Sequence, residues 1–486
     1  MAYQRAHLNM RTILLTGLCI LLAVAIDPLT GRCSPLDFTL HKLDSAQPGN
    51  VVLVVGGIQG DEPGGFNAAA LLTTHYRVTR GAIWVVPNLN FVSIVNRTRG
   101  VHGDLNRKFA DLPESDPEYP TIARIKTIIT DKRVSAVLNL HDGSGFFRHT
   151  YVDPLRNPKR WGQCVIIDRR GIEAERYSDL AGIARAVTTD VNRYLINSDH
   201  RLHVHNTRTH LGNTEMAKTL TFFATCQGKP AFGLEVSKSF PTHLRAYYHL
   251  RMIEAFLTKM GVAFERSFAL DPNVIKKAIN SNNTLAFYDR KIMLDMRDAR
   301  NRLGYFPLQK NTDISFTASN PLLTVVKTND SYRVFHGNRR LTRLYPQYFE
   351  YDSSLRSLQM IIDDIDTEVQ LGGVVGVNRS FMIKPADGYR VNIIGFTRKG
   401  ARDETGIPVE LANIRKRFSV DKKGRVYRVE VYKRDKFSGM VMVNFNIPSG
   451  FQKRCLSCDA QPAPVPSAAI GLSGLTPSNI LTPGAS

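Results

Sequence analysis

The sequence predicts an α/β domain of three layers, followed by one or two smaller domains rich in β-strands. Between about residues 50 and 240, short runs of Val, Ile and Leu alternate with longer segments of helical pattern. From about residue 266 to 450, strand-like pieces are instead separated by polar turns. The 486 residues, of which 43% are hydrophobic, are enough to bury more than one core.

Four apolar runs in the first region are too short for helices and suit strands that are buried on both faces. They are Val51 to Val55, Ala82 to Val86, Ala136 to Leu140 and Ala231 to Val236. Helical patterns lie between and after them, at Asn67 to Thr74, Tyr119 to Thr130 and Leu244 to Met260. Strands and helices that alternate in this way predict a sheet with helices on both faces.

The second region contains strand-like pieces that predict β-rich accessory domains. They are Ile314 to Phe316, Leu322 to Val326, Tyr332 to Phe335, Val374 to Val377, Tyr389 to Phe396, Val426 to Tyr432 and Met440 to Phe445. We expect a first domain over residues 26–265, a small accessory domain over 266–351 and a β-sandwich-like domain over 352–452. Residues 453–486, rich in Pro, Ala, Ser and Gly, are expected to form a flexible tail.

The N-terminal segment has the pattern of an export signal. Arg5 and Arg11 precede an apolar run from Ile13 to Ala25, which ends in the small residues Ala-Val-Ala. A positively charged start, a short apolar run and small residues at its end are typical of a signal peptide, here residues 1–25. An uncleaved membrane anchor is the alternative interpretation. We therefore expect the protein to act in the periplasm.

The chain is strongly basic. Its 64 Lys and Arg residues against 43 Asp and Glu give a formal net charge of +21. In the cytoplasm such a charge would suggest a nucleic acid partner, but export argues against one. A basic surface in the periplasm fits anionic wall polymers or membrane phosphates, and simple solubility explains it equally well.

Three polar residues beside predicted strands form a candidate metal site. The first strand runs into a glycine-rich turn in which Gln59 and Glu62 are three residues apart, so that both side chains can converge on one point. Another strand ends at His141. The carboxyl ends of strands in an open α/β sheet are where ligands bind. One imidazole, one carboxylate and one amide oxygen make a three-ligand site with room for water, as catalytic zinc requires.

A basic loop and a buried carboxylate belong to the same predicted region. The loop after the second strand contains Arg99, Asn106 and Arg107, and arginine can hold a carboxylate through two parallel hydrogen bonds. It could clamp a terminal carboxylate and a polarised carbonyl, although a solvated basic loop would have the same sequence. Glu235 is embedded in the last apolar run. Burial would raise the pKa of Glu235, which suits a group that shuttles protons; a buried salt-bridge partner is the other interpretation.

Four motifs in this order resemble the zinc carboxypeptidase superfamily: GGxxGxE, DLNRxF, a histidine at a strand end and a glutamate at a strand end, over about residues 50 to 250. Gln59 departs from the superfamily, which has histidine at the first ligand position. The same Gln-x-x-Glu motif, with NLHDGSGF around His141, is similar to the cell-shape-determining peptidoglycan DL-carboxypeptidases of helical and curved bacteria. This resemblance implies a carboxypeptidase-like first domain with a mixed sheet.

The resemblance implies a zinc-dependent hydrolase with one Zn²⁺ per chain. Its zinc ligands would be Gln59, Glu62 and His141, and Glu235 would act as general base and acid. The substrate would be the tripeptide stem of peptidoglycan, cut between γ-linked D-Glu and meso-diaminopimelate. Other cell-wall shape proteins are candidate partners, and the oligomeric state stays open.

The same resemblance assigns residues to the substrate. Arg107 and Asn106 would hold its terminal carboxylate, and Arg99 would contact the substrate or its scissile carbonyl. Trp161 and Thr221 would line the pocket for the diaminopimelate side chain. The likeness in export signal and trailing β-rich domains extends over most of the chain, with the C-terminal tail outside it.

Two other functions remain open from the sequence. N-acyl amino acid deacylases of the aspartoacylase type share a GDLNR-like segment, but they are typically cytosolic enzymes for small molecules. The second alternative is a non-catalytic wall-binding scaffold whose metal site has decayed at Gln59. The presence of Glu62, His141, Arg107 and Glu235 together argues against decay, because a dead site has no chemical reason to keep all of them.

Overall fold

The computed structural model describes residues 30–32, 36–400 and 403–453. Up to residue 266 its strands are β1 (Thr30–Arg32), β2 (His41–Asp44), β3 (Val51–Val55), β4 (Tyr76–Arg80), β5 (Ala82–Val86), β6 (Val134–Gly143), β7 (Phe146–Phe147), β8 (Arg156–Asn157), β9 (Cys164–Ile167), β10 (His203–Asn206), β11 (Ala231–Ser237) and β12 (Ala263–Arg266). Its helices there are α1 (Pro63–His75), α2 (Phe91–Asn96), α3 (Tyr119–Thr130), α4 (Leu180–Val191), α5 (Leu220–Cys226) and α6 (Thr242–Lys259). The predicted signal peptide and nearly all of the predicted tail lie outside the described residues.

A seven-stranded mixed sheet forms the centre of this part. Its strand order is β10-β9-β11-β6-β3-β5-β2, and neighbouring strands are parallel except for the pairs β9–β11 and β5–β2. Helices cover both of its faces. Val52 and Val54 share a core with α1, α4 and α6, whereas Leu53 and Val55 share one with α3 and α5. The predicted three-layer α/β fold with a mixed sheet is confirmed, because the central strands are apolar on both sides.

Helix α1 begins directly after the glycine-rich turn. Pro63 stands at its start, where the fixed φ of proline suits a helix and its missing N–H is not needed. Leu71 and Leu72 are buried against the sheet, and each fully buried leucine stabilises the fold by about 1.5–3 kcal/mol. This packing fixes the position of Glu62, the residue that precedes the helix.

The remainder of the described chain is almost entirely β-structure. It comprises α7 (Pro272–Asn280), β13 (Thr284–Phe287), β14 (Ile292–Asp295), β15 (Leu303–Gln309), β16 (Ser315–Ala318), β17 (Leu323–Lys327), β18 (Tyr332–His336), β19 (Arg339–Phe349), β20 (Ser357–Ile362), β21 (Ile365–Gln370), β22 (Val374–Gly376), β23 (Ser380–Ile383), β24 (Arg390–Ile393), β25 (Val409–Glu410), β26 (Val426–Lys433), β27 (Lys436–Asn444) and β28 (Gln452–Lys453). One-turn 3₁₀ helices occur at Leu105–Arg107, Asn192–Tyr194, Ser198–His200, Thr209–Leu211, Met216–Lys218, Leu411–Asn413 and Lys416–Phe418. Within the part of the chain that the structure describes, none of the helices combines the length and hydropathy that a membrane span requires.

The β-structure is arranged around two cores. The sheets β21-β20-β23-β25 and β24-β26-β27-β22-β28 enclose one core between them, as in a β-sandwich. The sheets β1-β16-β13-β14 and β15-β19-β18-β17 form the second, which also contains side chains of β26 and β27. The strands predicted after residue 266 are therefore present, and the two cores are joined through a shared pair of strands.

The sequence placed His141 after the end of its strand, and this is wrong. Strand β6 continues to Gly143 because its parallel neighbour β11 pairs with it as far as Ser237. His141 therefore lies inside a paired strand, which restricts its backbone more than a loop would. Helix α1 also starts earlier than predicted, at Pro63 instead of Asn67.

Candidate active site

The turn between β3 and α1 carries two of the predicted metal ligands. Gly57 has a φ of +73°, which glycine adopts without strain. A Cβ at Gly60 would lie 2.1 Å from the backbone of Ser93, so a larger residue would push the turn away from its neighbour. The turn brings Gln59 and Glu62 into one cavity, where they are only 1% and 4% exposed.

Strands β6 and β11 supply the histidine and the second glutamate. They are parallel neighbours whose register sets Glu235 opposite His141. Side chains that are opposite on adjacent strands share one face of a sheet, so the imidazole and the carboxylate lie side by side. A Cβ at Gly143 would lie 2.6 Å from Glu235 Oε2, which is too close for a real contact. A residue with a side chain at position 143, two residues after His141, would therefore displace the Glu235 carboxylate.

The three predicted ligand atoms converge. His141 Nδ1 lies 3.1 Å from Gln59 Oε1 and 3.1 Å from Glu62 Oε2. All three side chains are buried, so these atoms face one another and not bulk water. An imidazole nitrogen with two such oxygens fits a catalytic metal ion that keeps one position open. Among the described residues no cluster of three His, Cys, Asp or Glu side chains could hold a metal, so the amide oxygen is an essential part of this donor set.

Hydrogen bonds orient the two oxygen donors. Asp104 Oδ1 accepts a hydrogen bond from Gln59 Nε2 at 2.8 Å, which leaves Gln59 Oε1 facing the histidine. Asp104 Oδ2 is held in turn by Arg99 Nε at 2.9 Å. The backbone N–H of Asp142 donates to Glu62 Oε2 at 3.0 Å. Such outer contacts commonly fix the ligands of a metal and tune its affinity.

Asn139 completes the surroundings of the histidine. Its Nδ2 lies 2.8 Å from His141 Nε2, and its Oδ1 is buried with no hydrogen-bond partner among the described residues. A half-turn of this amide would let Oδ1 accept a hydrogen bond from the Nε2–H of His141. His141 Nδ1 would then be free of its proton, as a metal-binding imidazole must be. The unsatisfied oxygen therefore supports the fit of this site to a metal.

The electrostatics of the site shift two pKa values upward. Burial alone would lower the pKa of His141, but the hydrogen bond and charge of Glu62 outweigh it and raise that pKa above its ordinary value. Burial raises the pKa of Glu235 to about 8, and the charges of Glu62 and Asp142 act in the same direction. A carboxyl group with a pKa near neutrality can both take up and release a proton at physiological pH.

Two arginines of the predicted clamp line the same cavity. Arg99 is engaged with Asp104 and lies 3.5 Å from Glu62 Oε1, so it reaches the edge of the metal site. Arg107 has a weaker partner, because its Nε is 3.7 Å from Glu215 Oε2 and the Glu215 side chain is 64% exposed. Arg107 Nη1 donates a hydrogen bond to the backbone carbonyl of Asn106 at 3.0 Å. Because exposed ion pairs contribute little, the rest of the Arg107 guanidinium remains available to a ligand.

One cavity of about 240 Å³ brings together every residue that the sequence singled out: Gln59, Glu62, Arg99, Asn106, Arg107, His141, Trp161, Thr221 and Glu235. Its volume is below the range of about 300–1,000 Å³ typical of sites for drug-sized ligands and suits the end of a peptide. A larger cavity of about 740 Å³ lies among the β-rich sheets and contains none of these residues.

Sequence reasoning missed several residues that shape the site. Asp104 orients Gln59 and is the first residue of the DLNR motif, so its place in the motif was a usable signal. Asn139 and Asp142 flank the histidine in NLHDG, but their contacts depend on the folded chain. Lys238 lies 3.3 Å from Glu62 Oε1, and nothing in the sequence distinguishes it from the other basic residues.

Comparison with known proteins decides the family. Residues 13–280 match the catalytic part of the family described as carboxypeptidase controlling helical cell shape. The chain belongs to this family. Residues 351–446 also match a C-terminal domain of metallo-carboxypeptidase. The protein is therefore a metallocarboxypeptidase of the cell-shape family, a hydrolase that works with a catalytic metal.

Solved structures of a relative in this family cover most of the chain. They show the cell shape determinant protein Csd4 from Helicobacter pylori in a product-bound form, with 40% identity, 84% of this chain and 100% of that chain covered, and a TM-score of 0.79. A tripeptide-bound form has 40% identity over 84% and 100% of the two chains, with a TM-score of 0.78. A form with bound mDAP, called a D,L-carboxypeptidase, has 40% identity over 83% and 99%, with a TM-score of 0.79. A search of curated protein sequences gives no match.

Membership of the cell-shape family confirms the resemblance that the four motifs indicated. It also confirms the enzyme class, because the family is one of carboxypeptidases. Of the three functions that the sequence left open, the deacylase and the scaffold lose their support. The hydrogen bond from Gln59 Nε2 to Asp104 Oδ1 orients the Gln59 amide and argues against decay of the site.

Proposed function

We propose that the protein is a zinc-dependent DL-carboxypeptidase that trims tripeptide stems of peptidoglycan between γ-linked D-Glu and meso-diaminopimelate. The convergence of Gln59, Glu62 and His141 beside Glu235 in a small cavity carries this proposal. The tripeptide-bound and mDAP-bound forms of the Helicobacter pylori relative support the choice of substrate.

Gln59 Oε1, Glu62 Oε2 and His141 Nδ1 would hold the zinc ion. The three donor atoms are one nitrogen and two oxygens, and they leave one coordination position open. In hydrolases, this kind of catalytic site is best suited to zinc. When bound, it would polarise the scissile carbonyl and acidify the attacking water. The amide of Gln59 is neutral. This set of ligands therefore neutralises less of the metal charge than a set with a second carboxylate in its place would.

Glu235 would move the proton. It lies beside His141 on the neighbouring strand, and its raised pKa lets it accept a proton from the attacking water near neutral pH. The same proton would pass to the leaving amino group of diaminopimelate, because an amine leaves a tetrahedral carbon only after protonation. One carboxyl group thus serves as base and then as acid.

The arginine-rich loop would fix the end of the peptide. Arg107 would hold the terminal carboxylate with its planar fork, assisted by Asn106, which lines the cavity at its side. Arg99 would contact the scissile carbonyl or a neighbouring substrate group, since it reaches the edge of the metal site. Trp161 and Thr221 would line the pocket for the side chain of the released residue.

Replacing Arg107 with alanine should raise KM by about 10- to 100-fold, because a hydrogen-bonded pair of charges contributes about 1.5–3 kcal/mol. The effect on kcat should be smaller, since the contact exists before and during the reaction. Arg107→Lys should be intermediate, because lysine keeps the charge without the fork. The control is a tripeptide with an amidated C-terminus, on which the wild type and Arg107→Ala should be equally poor. A wild-type KM in Arg107→Ala would remove Arg107 from the binding site.

Zinc affinity should fall at low pH. His141 must be neutral to bind zinc, and its raised pKa means that protons begin to compete above pH 6.5. Below that pKa, the apparent affinity should drop by about tenfold per pH unit, as expected when one proton is released. A competition titration with a chromophoric chelator between pH 5.5 and 8.5 measures it. An affinity that is constant over this range would mean that His141 is not a ligand.

Digestion of purified muropeptides tests the function directly. The protein is incubated with tri-, tetra- and pentapeptide muropeptides, and the products are identified by mass spectrometry. We expect tripeptides to become dipeptides with release of diaminopimelate, while longer stems stay intact. Cleavage of the longer stems alone would replace the proposed bond with another, and no cleavage in the presence of zinc would overturn the proposal.

We also propose that the protein works in the periplasm, where its substrate lies. The charged start, apolar run and small residues of segment 1–25 support this location. Cell fractionation, followed by sequencing of the mature N-terminus, tests it. Other cell-wall shape proteins are the partners we propose, and the basic charge of the chain would favour contact with anionic wall polymers.

A further inference from the structure

A groove of about 510 Å³ lies at the edge of the central sheet, where it is lined by helix α4 and the outermost strand β10. None of its lining residues is acidic. Four arginines line it, and each comes from a different segment of the chain: Arg170 follows β9, Arg185 is on α4, Arg201 precedes β10 and Arg208 follows β10. The fold therefore gathers four positive charges that are separate in sequence, and we call this feature the arginine groove.

The charges of the four arginines are not balanced by the protein. Their guanidinium groups form no ion pair and no hydrogen bond with any residue that the structure describes. Acidic residues that are close to them in sequence are paired with other arginines. Asp153 and Asp199 both contact Arg156, and Asp190 contacts Arg193. Because like charges around one groove repel one another, an anion in the groove would relieve a repulsion that the fold leaves in place.

A loop with exposed apolar side chains adjoins the arginine groove. Tyr151, Val152 and Leu155 are exposed, Tyr151 by 69%, and lie in the loop between β7 and β8. The start of this loop belongs to the groove, because His149 lines it and the His149 ring lies 5.4 Å from the ring of His203, which also lines it. The apolar loop is therefore anchored beside the arginines.

Other segments around the groove also expose apolar side chains. Leu211 is 72% exposed and follows Arg208 by three residues, and Tyr194 and Ile196 are exposed between α4 and β10. Six of the twelve large apolar side chains that are exposed in the described part of the chain fall within residues 151–211. This concentration indicates a surface that meets a nonpolar partner, since exposed apolar residues are otherwise scattered singly.

The combination of charges and apolar side chains decides between two kinds of anionic partner. A polyanion of the wall would use the arginines alone and leave Val152, Leu155 and Leu211 in water. A lipid surface uses both, because its phosphates attract the arginines and its acyl region takes up aliphatic side chains. Basic residues beside exposed aromatic and aliphatic residues are typical of proteins that lie on a membrane without crossing it.

We propose that the arginine groove and its apolar neighbours bind the surface of a membrane that contains anionic phospholipids. The arginines hold lipid phosphates through their planar forks, and Tyr151, Leu155 and Leu211 enter the boundary between headgroups and acyl chains. The groove shares no lining residue with the candidate active site, so a lipid bound there does not occupy the catalytic cavity. This proposal does not depend on which peptide bond the enzyme cuts.

Sedimentation with sucrose-loaded vesicles measures the binding. The protein is used from residue 26 to 486, so that the apolar run of the predicted signal peptide does not contribute. The vesicles contain either phosphatidylcholine alone or phosphatidylcholine mixed with phosphatidylglycerol. We expect binding to the anionic vesicles to be at least about tenfold tighter and to weaken as salt is added, because salt screens charges at a surface. Equal binding to both kinds of vesicle, or to neither, would overturn the proposal.

The double variant Arg185→Gln with Arg208→Gln tests the groove itself. It should weaken binding to the anionic vesicles by about 10- to 50-fold, at about fivefold for each basic residue near an anionic surface. The matched control is Arg340→Gln with Arg425→Gln, which removes the same charge from exposed positions in the β-rich part. All four side chains are exposed, so folding should be unaffected. A control that weakens binding as much as the groove variant would assign the binding to net charge and overturn the groove.

Tyr151→Ser with Leu155→Ser tests the apolar loop. This variant should weaken binding by about tenfold or more, because two apolar side chains no longer leave water. Tyr305→Ser is the control, since Tyr305 is 74% exposed but lies in the β-rich part, and it should bind as the wild type does. Wild-type binding by the loop variant would overturn the insertion of this loop.

Two further measurements separate this proposal from the proposed function. The groove and loop variants should cleave muropeptides in solution at the wild-type rate, because none of the changed residues lines the catalytic cavity. Purified sacculi, free of lipid, should not compete with the anionic vesicles. Sacculi that compete, and whose binding is lost in Arg185→Gln with Arg208→Gln, would replace the membrane with a wall polymer and leave the enzyme activity as proposed.

Discussion

Replacing Glu235 with glutamine should lower kcat by about 10²- to 10⁴-fold, the usual contribution of a general acid–base group. Glutamine keeps the size of the side chain but cannot exchange the proton that the reaction needs. Steady-state kinetics on a synthetic tripeptide with diaminopimelate measure the loss. KM should change little, because Glu235 acts on the reacting atoms and does not bind the peptide end.

Two controls separate a chemical role of Glu235 from a structural one. Glutamine removes a charge that burial already disfavours, as the raised pKa of Glu235 shows, so the melting temperature should not fall. Glu430→Gln is the matched variant, because Glu430 is also buried with a raised pKa but lies in the β-rich part. It should leave kcat unchanged. A Glu235→Gln enzyme that is fully loaded with zinc and as fast as the wild type would refute the role.

Removing the metal should lower activity by about 10³-fold or more, because a catalytic metal contributes several kcal/mol to the transition state. The amide oxygen of Gln59 is a poorer donor to zinc than an imidazole would be. We therefore expect a chelator to strip the site readily and added zinc to restore the rate. The measurement is the initial rate after dialysis against chelator, followed by titration with zinc.

Asp104→Ala tests whether the orientation of Gln59 affects zinc binding. Asp104 orients the Gln59 amide without being a ligand itself. Its loss should weaken zinc affinity by about 10- to 100-fold, as is usual for residues behind the ligands. More zinc should then be needed to restore the rate. Full activity in zinc-free protein after prolonged chelation would argue against a metal mechanism altogether.

The core of the first domain was predictable because its strands are apolar on both faces. Runs such as Val51 to Val55 and Ala82 to Val86 leave no polar side for water, which indicates a sheet covered by helices. The site followed from the same sheet, since residues at neighbouring strand ends must meet. The spacing of Gln59 and Glu62 made Gln59 a candidate ligand, and the family resemblance strengthened this hypothesis, because an amide in a glycine-rich turn is more often a simple turn residue.

The contacts that orient the site could not be read from the chain. Asp104 meets Gln59 across 45 positions of sequence, and Asp142 meets Glu62 across 80. Both pairs depend on how loops are placed by the finished sheet, and side-chain hydrogen bonds at such separations leave no periodic pattern. The extension of β6 through His141 was missed for a similar reason, since it depends on pairing with a strand nearly a hundred residues later.

The proposed mechanism depends on one zinc ion that is held by an amide, a carboxylate and an imidazole. Crystals grown with zinc, with diffraction data collected above and below the zinc absorption edge, would test it most directly. We expect one anomalous peak per chain, within bonding distance of Gln59 Oε1, Glu62 Oε2 and His141 Nδ1, and its loss in His141→Ala. A peak that lies elsewhere, or one that persists unchanged in His141→Ala, would show that these three side chains do not hold the zinc ion.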